Sequence, residues 1–403
     1  MTDIARIEGG VTAPAGFTTA GVAAGIKANG RPDVALIVSA SPATAAAVFT
    51  TNKAQAAPVL VSREHLQRTG GHARVVVVNA GCANACTGAN GLRIAREMAA
   101  AAAAAVDVPA EQALVASTGV IGVDLDIAKV RAGIDAAKAR LGRDQHAQAA
   151  QAIMTTDPFP KSCAVRVTTA AGTFAIGGMC KGSGMIEPLM ATMLGFLTTD
   201  AAVPAPVLRR ALAEAVHVTF NAITLDGECS TNDSVFLLAN GASGVSVGDD
   251  LYPVFVEALG RVCRELALGI VRGGEGATKM VAITVTGAAT EPEARQAARV
   301  IANSPLVKTA IHGADPNWGR LIAAAGRSGV TFDVERASVR IGDIVLFDRG
   351  TPRDENARRA GEYLRGTDLT IAVDVGADGA HQATIWTCDL SAEYVRINGE
   401  YRT

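Results

Sequence analysis

Two periodicities share the chain. Short β-branched runs that end in small or turn residues read as strands, first Val34–Ala40 (VALIVSA) and then Arg74–Gly81 (RVVVVNAG). From Cys163 to Met179 the pattern alternates on both sides of Ala171-Gly172, which predicts a hairpin. Strand-like runs return at 280–288, 338–347, 369–376 and 382–390. Between them, Ile127, Val130, Ile134, Ala137 and Leu141 form a single apolar stripe at helical spacing, as do Phe255, Leu259, Val262, Cys263 and Leu266. Residues 91–106 and about 206–217 add two more helices near prolines. Hairpins interrupt the alternation of strand and helix, so a regular βαβ wind is excluded. The pattern predicts an α/β protein, with mixed sheets layered under helices. No Pro/Ser-rich linker divides the chain, and the boundary is expected near residue 280, leaving a smaller α/β region at 280–403.

Composition narrows the class. The 403 residues are too many for one small core, which calls for two or more packed units. Thirty-seven basic residues nearly cancel 39 acidic ones, so nothing points to nucleic acid or a membrane surface. The seven cysteines are odd in number and scattered, and Cys82 and Cys86 lack a second ligand pair, so neither zinc nor a disulfide framework is expected. The acidic N-terminal stretch does not resemble a signal peptide, and the alanine run at 98–106 is too weakly apolar to span a bilayer. The expectation is a cytoplasmic protein that binds no metal.

Candidate chemistry is sparse. The turn CKGSGM (180–185) could cradle an anion, but Lys181 precedes the glycines where a Walker loop has it after them. The bland alternative is a turn needing positive φ at Gly182 or Gly184. STGVIG (117–122) places a hydroxyl beside a glycine N–H, as an oxyanion hole does. Asp226, Glu228 and Asp233 lack the spacing of a calcium loop, and turn-forming roles suit their neighbours. The six histidines are dispersed, and neither H-E-x-x-H nor G-x-S-x-G occurs. A hydroxyl nucleophile would then need another base. Thr192 stands alone among Met190, Ala191, Met193 and Leu194. Cleavage just before it would free an α-amino group, with an ordinary pKa of about 7.7–8.0, to serve its own hydroxyl. A threonine bonded to backbone is the competing reading.

A set of ordered motifs decides between them. AGFTTAGVAAGIK, VNAGCANACTG, STGVIG, AIMTTDPFPK, KGSGMIEPLMATML, TFNAITLDGECSTND, GEGATK, NSPLVKTAIHGADPNWGR and the tail YVRINGEYRT follow one another to the last residue. Together they resemble the ornithine acetyltransferase, or glutamate N-acetyltransferase, family of the acetyl-cycling arginine pathway. The resemblance implies an αββα-type sandwich over 1–279 and self-cleavage between Ala191 and Thr192, giving an α chain of 1–191 and a β chain of 192–403. It implies that Thr192 carries acetyl from N²-acetylornithine to L-glutamate, with acetyl-CoA as a second donor in some members and no bound cofactor. Thr118 and Gly119 would form the oxyanion hole. Thr155, Lys181, Thr192, Glu275, Asn398 and Thr403 would contact substrate. An α/β heterodimer pairing into a heterotetramer is the expected assembly.

Two departures bear on the substrate. Glu187 and Leu189 stand where many members have Ala and Asn, a form resembling the branch found in β-lactam-antibiotic clusters. The alternatives are therefore an acetyltransferase of such a pathway or a self-cleaving aminopeptidase or amidohydrolase of related fold. A non-catalytic binding protein would require an uncleaved chain.

Overall fold

The structure is a computed structural model and describes residues 2–187 and 193–400. Ala191, Thr192 and Thr403 lie outside the described residues. The chain packs into two compact units, one of Met1–Asn221 and Glu228–Ile270, the other of Ala222–Gly227 and Val271–Arg402.

The first unit is built on strands β1 (Asp3–Ile7), β2 (Phe17–Val22), β3 (Val34–Phe49), β4 (His72–Cys82), β5 (Ala113–Val120), β6 (Lys161–Thr169), β7 (Gly172–Lys181), β8 (Leu194–Thr199) and β9 (Ser234–Ala239). Its helices are α1 (Ala57–Arg68), α2 (Gly88–Ala105), α3 (Ile127–Lys138), α4 (His146–Ala152), α5 (Ala205–His217) and α6 (Tyr252–Arg272), the last two residues of which belong to the second unit. Among the described residues the strands form one hydrogen-bonded sheet in the order β1-β6-β7-β8-β9-β3-β4-β5, with β2 beside β3.

Strand β3 makes this sheet a sandwich. Its first half pairs with β2 and β4, its register shifts between Val38 and Ala43, and its second half pairs with β9. The expected strand ended at Ala40, because Ser41-Pro42 reads as a stop. The chain instead continues through Pro42 and carries one layer into the other. Strict alternation then fills both faces. Leu36, Val75, Val77 and Val115 turn toward Ile94, Met98 and Ile134 of α2 and α3. Ile37, Val76, Val78 and Leu114 turn inward to meet Phe196 and Phe236 of β8 and β9. Phe196 and Phe236 stack with ring centroids 5.8 Å apart. On the far side α6 covers β7, where the Cys180 thiol donates to the Leu266 carbonyl at 3.5 Å. Helices, sheet, sheet and helices follow in the αββα order. The expected hairpin forms, with Thr169 opposite Gly172.

The second unit has strands β10 (Met280–Ala288), β11 (Ser338–Ile341), β12 (Ile344–Asp348), β13 (Thr351–Pro352), β14 (Asp368–Asp374) and β15 (His381–Cys388) in the order β13-β12-β11-β14-β10-β15. Helices α7 (Glu291–Ala302), α8 (Pro305–His312), α9 (Trp318–Gly326), α10 (Ala357–Tyr363) and α11 (Ala392–Glu400) accompany it. Alternate residues Val281, Ile283 and Val285 of β10 pack with Ala294, Ala298 and Ile301 of α7. The run 338–347, expected as one strand, is a hairpin that turns at Gly342, whose φ is +58°. All seven cysteines are free, and five are buried. Among the described residues no helix is long and apolar enough to cross a membrane.

Candidate active site

Strands β4 and β5 run parallel, and their register irregularity falls at Gly81 and Cys82. Thr118 and Gly119 sit opposite this irregularity at the C-terminal end of β5, half-buried. Gly119 holds φ at +130°, and a Cβ there would stand 2.3 Å from the Gly81 carbonyl carbon. No other residue fits so close to a neighbouring backbone. Two buried asparagines brace the same strand end. The Asn79 side-chain oxygen accepts from the Ser117 hydroxyl at 2.6 Å, and its amide donates to the Cys82 carbonyl at 2.9 Å. Asn232, in the loop before β9, donates to the Ser117 and Ala83 carbonyls at 2.9 and 2.6 Å. Both asparagines lie in quoted motifs as apparent turn residues. Only their shared partner Ser117, 38 positions from Asn79 and 115 from Asn232, reveals that they hold the Thr118–Gly119 corner.

A second group forms where α4 gives way to β6. Asp157 is 4% exposed. One of its carboxylate oxygens accepts from Lys161 Nζ at 2.6 Å and from the Gly182 N–H at 2.7 Å, and the other accepts from the Thr155 N–H at 3.1 Å. Burial pushes this carboxyl up. The lysines at 181 and 161, with the Gly182 and Lys161 hydrogen bonds, outweigh burial and hold it at about 2. Beside this link the Thr156 and Ser183 hydroxyls share a hydrogen bond of 2.6 Å. Thr155 and Lys181 are thus brought to one place. In the turn that follows, Gly182 has φ +156° and Met185, rather than Gly184, takes the left-handed conformation at +59°. The expected positive φ is found at Gly182.

Lys27 joins the two groups. Its stem lies against Gly81, where an added Cβ would meet Lys27 Cγ at 3.1 Å. Its ammonium donates to the Pro32 carbonyl at 2.6 Å and feels Asp33, Asp157 and Lys181. Burial is the largest influence and, against the pull of Asp33 and Asp157, brings it down to about 8. Sequence reasoning passed over Lys27, because AAGIK looks like an ordinary solvent-facing lysine.

Glu275 and Asn398 belong to the second unit. Glu275 follows α6, and the Asn398 amide of α11 donates to its carboxylate at 2.9 Å. The loop around Glu275 is fastened by Asp389 and by Ser391, whose hydroxyl donates to the Gly276 carbonyl at 2.6 Å.

Residues 18–403 match the ArgJ family. An arginine biosynthesis bifunctional protein ArgJ from Symbiobacterium thermophilum is 50% identical over 402 residues, covering 98% of this chain and 99% of that protein. Its counterpart from Chlorobaculum tepidum is 49% identical over 391 residues, covering 97% and 96% respectively. The crystal structure of the Bacillus halodurans protein of the same description aligns with a TM-score of 0.50 at 42% identity, over 52% of this chain and 100% of that one.

Proposed function

The chain belongs to the ArgJ family, and we propose that it is an acetyltransferase of arginine biosynthesis that moves acetyl from N²-acetylornithine to L-glutamate through Thr192. The observation that carries this reading is the match at 50% identity over nearly the whole of both chains. The site chemistry agrees with it. Self-cleavage begins when the Thr192 hydroxyl attacks the Ala191 carbonyl carbon, the peptide C–N bond breaks with the proton passing to the freed α-amino group, and water then hydrolyses the resulting ester. A whole chain of the Bacillus halodurans relative is matched by 52% of this one. A fragment of 192–403 would be 212 of the 403 residues, about the same share.

In the mature enzyme the free α-amino group of Thr192 takes the proton of its own hydroxyl. The hydroxyl oxygen attacks the acetyl carbonyl, the Thr118 hydroxyl and Gly119 N–H stabilise the oxyanion, and ornithine leaves with the proton. The amine of glutamate then attacks acetyl-Thr192 and regenerates the threonine. Lys181 suits the α-carboxylate common to both amino acids, and Glu275 with Asn398 suits the distal amine of ornithine. Thr155 and Thr403 complete the substrate contacts. Acetyl-CoA loading the same threonine would account for the word bifunctional in the relatives' names. We infer action in the cytoplasm by a heterotetramer of α and β chains.

Intact mass spectrometry tests the first step. The purified protein should give two fragments, the second beginning at Thr192, and Thr192→Ala should remain one chain. An uncleaved wild type that transfers acetyl would overturn the reading.

A further inference from the structure

Asp157 has no part in the chemistry proposed above, yet it is among the most completely engaged carboxylates of the first unit. It is enclosed at 4% exposure and takes hydrogen bonds from Lys161, Gly182 and Thr155. Two of those donors are main-chain groups from segments 25 and two positions away. Such a carboxylate fixes backbone, because an N–H aimed at a charge loses more on moving than one aimed at a neutral oxygen.

The two lysines beside it are used differently. Lys161 Nζ makes the ion pair at 2.6 Å, its side chain 2% exposed, and the Phe159 ring covers the ammonium with its centroid 5.0 Å away. Lys161 therefore neutralises Asp157. Lys181 is 6% exposed and lowers the same carboxyl through its charge, with no hydrogen bond to it. Among the described residues its ammonium has no hydrogen bond or ion pair. A cation so placed keeps donors for an anionic ligand.

We propose that Asp157 is a positioning residue for the substrate's α-carboxylate: paired with Lys161, it locks Thr155 and the Lys181–Gly182 turn in place while leaving the Lys181 charge for the ligand. This rests on the acetyltransferase reading and adds the residue that sets its anionic subsite. Sequence distance concealed the role, since D-P-F-P-K reads as a turn until Gly182 is seen to close on it.

The test uses the full chain with Asp157→Asn, which keeps the shape, loses the charge and can no longer accept at both oxygens. Only cleaved protein, verified by intact mass, is assayed. KM for N²-acetylornithine should rise about tenfold, the loss expected for a hydrogen bond to a charged group, and kcat should fall by less. In a Lys181→Met background the same substitution should raise KM by less than about twofold, because its target is gone. A tenfold rise in both backgrounds would mean general structural damage and overturn the proposal, as would an unchanged KM in folded Asp157→Asn. Should that variant fail to fold, Thr156→Val cuts only the adjacent link to Ser183. It should still raise KM by about two- to threefold, and an unchanged KM would overturn the proposal. A wild type without acetyl transfer would refute the acetyltransferase reading instead, so the two failures are distinct.

Discussion

Asp157 in the first unit and Asp389 in the second are both buried, and each gathers a loop that leads to an expected substrate contact. Their partners differ. Asp157 is balanced by Lys161, enclosed with it. Asp389 accepts from the Thr278 N–H and hydroxyl at 2.8 and 2.5 Å and from the Lys279 N–H at 2.9 Å, all neutral donors. A titratable partner, His312, stands 2.7 Å away with 42% of its side chain exposed. Burial raises the Asp389 carboxyl, but these hydrogen bonds prevail and lower it overall. The Lys181 turn is thus held through an enclosed ion pair, and the Glu275 loop through hydrogen bonds from neutral donors and a histidine that reaches solvent. The first arrangement is rigid and costly to break. The second leaves no buried charged partner behind when it is broken.

Stability should separate the two most sharply. Asp157→Ala strands the Lys161 ammonium in the interior, which typically costs about 3–5 kcal/mol. Asp389→Ala leaves neutral donors and a histidine that reaches solvent, for a loss of about 1–3 kcal/mol. Urea unfolding followed by circular dichroism measures both, and equal losses would erase the distinction. Acid should act through the same carboxylate. The folded Asp157 carboxyl titrates at about 2 against an ordinary 3.8. Its contribution is therefore complete above pH 3.8 and is lost as pH falls toward 2.

Thr118 sharpens the contrast on the chemical side, because it lies half-buried at a strand end braced by Asn79 and Asn232. Thr118→Ala should leave stability nearly intact and lower kcat by about 10²–10³, the usual effect of removing one oxyanion donor. A rise in KM alone would assign it to ground-state binding.

Lys27 provides the smallest effect, with the same sign of slope as Asp157 but in an alkaline window. Burial lowers its pKa from 10.5 to about 8, so the unfolded chain binds more protons between those values. Stability should rise with pH from about 8 to 10.5 through this group and lie flat below. Lys27→Met should remove that rise, read as melting temperature against pH. A slope unchanged by the substitution would show that the Lys27 charge is not strained.

The sequence was most legible where the signal is local. The 163–179 hairpin follows from alternation around a Gly turn, and the α3 and α6 stripes from helical spacing. The β3 crossing was hidden because Pro42 normally ends a strand, whereas here it occupies the register shift between the two layers. Gly342 split a run whose hydrophobic pattern continues across the turn. For the site, the order of motifs led to Thr118, Gly119, Thr155, Lys181, Glu275 and Asn398. Asp157, Lys161, Lys27, Asn79 and Asn232 escaped notice, because each works on a backbone group or charge distant in sequence. Nothing local distinguishes them from turn formers or surface charges.

The central claim is that one threonine carries the acetyl group between two amino acids. Mature protein should be mixed with N²-acetylornithine alone and its fragments weighed. The fragment beginning at Thr192 should gain the mass of one acetyl group while an equal amount of ornithine is released. Added glutamate should then remove that mass as N-acetylglutamate. Acetyl transfer that proceeds with the fragment never acetylated, or with acetyl on another residue, would contradict the account.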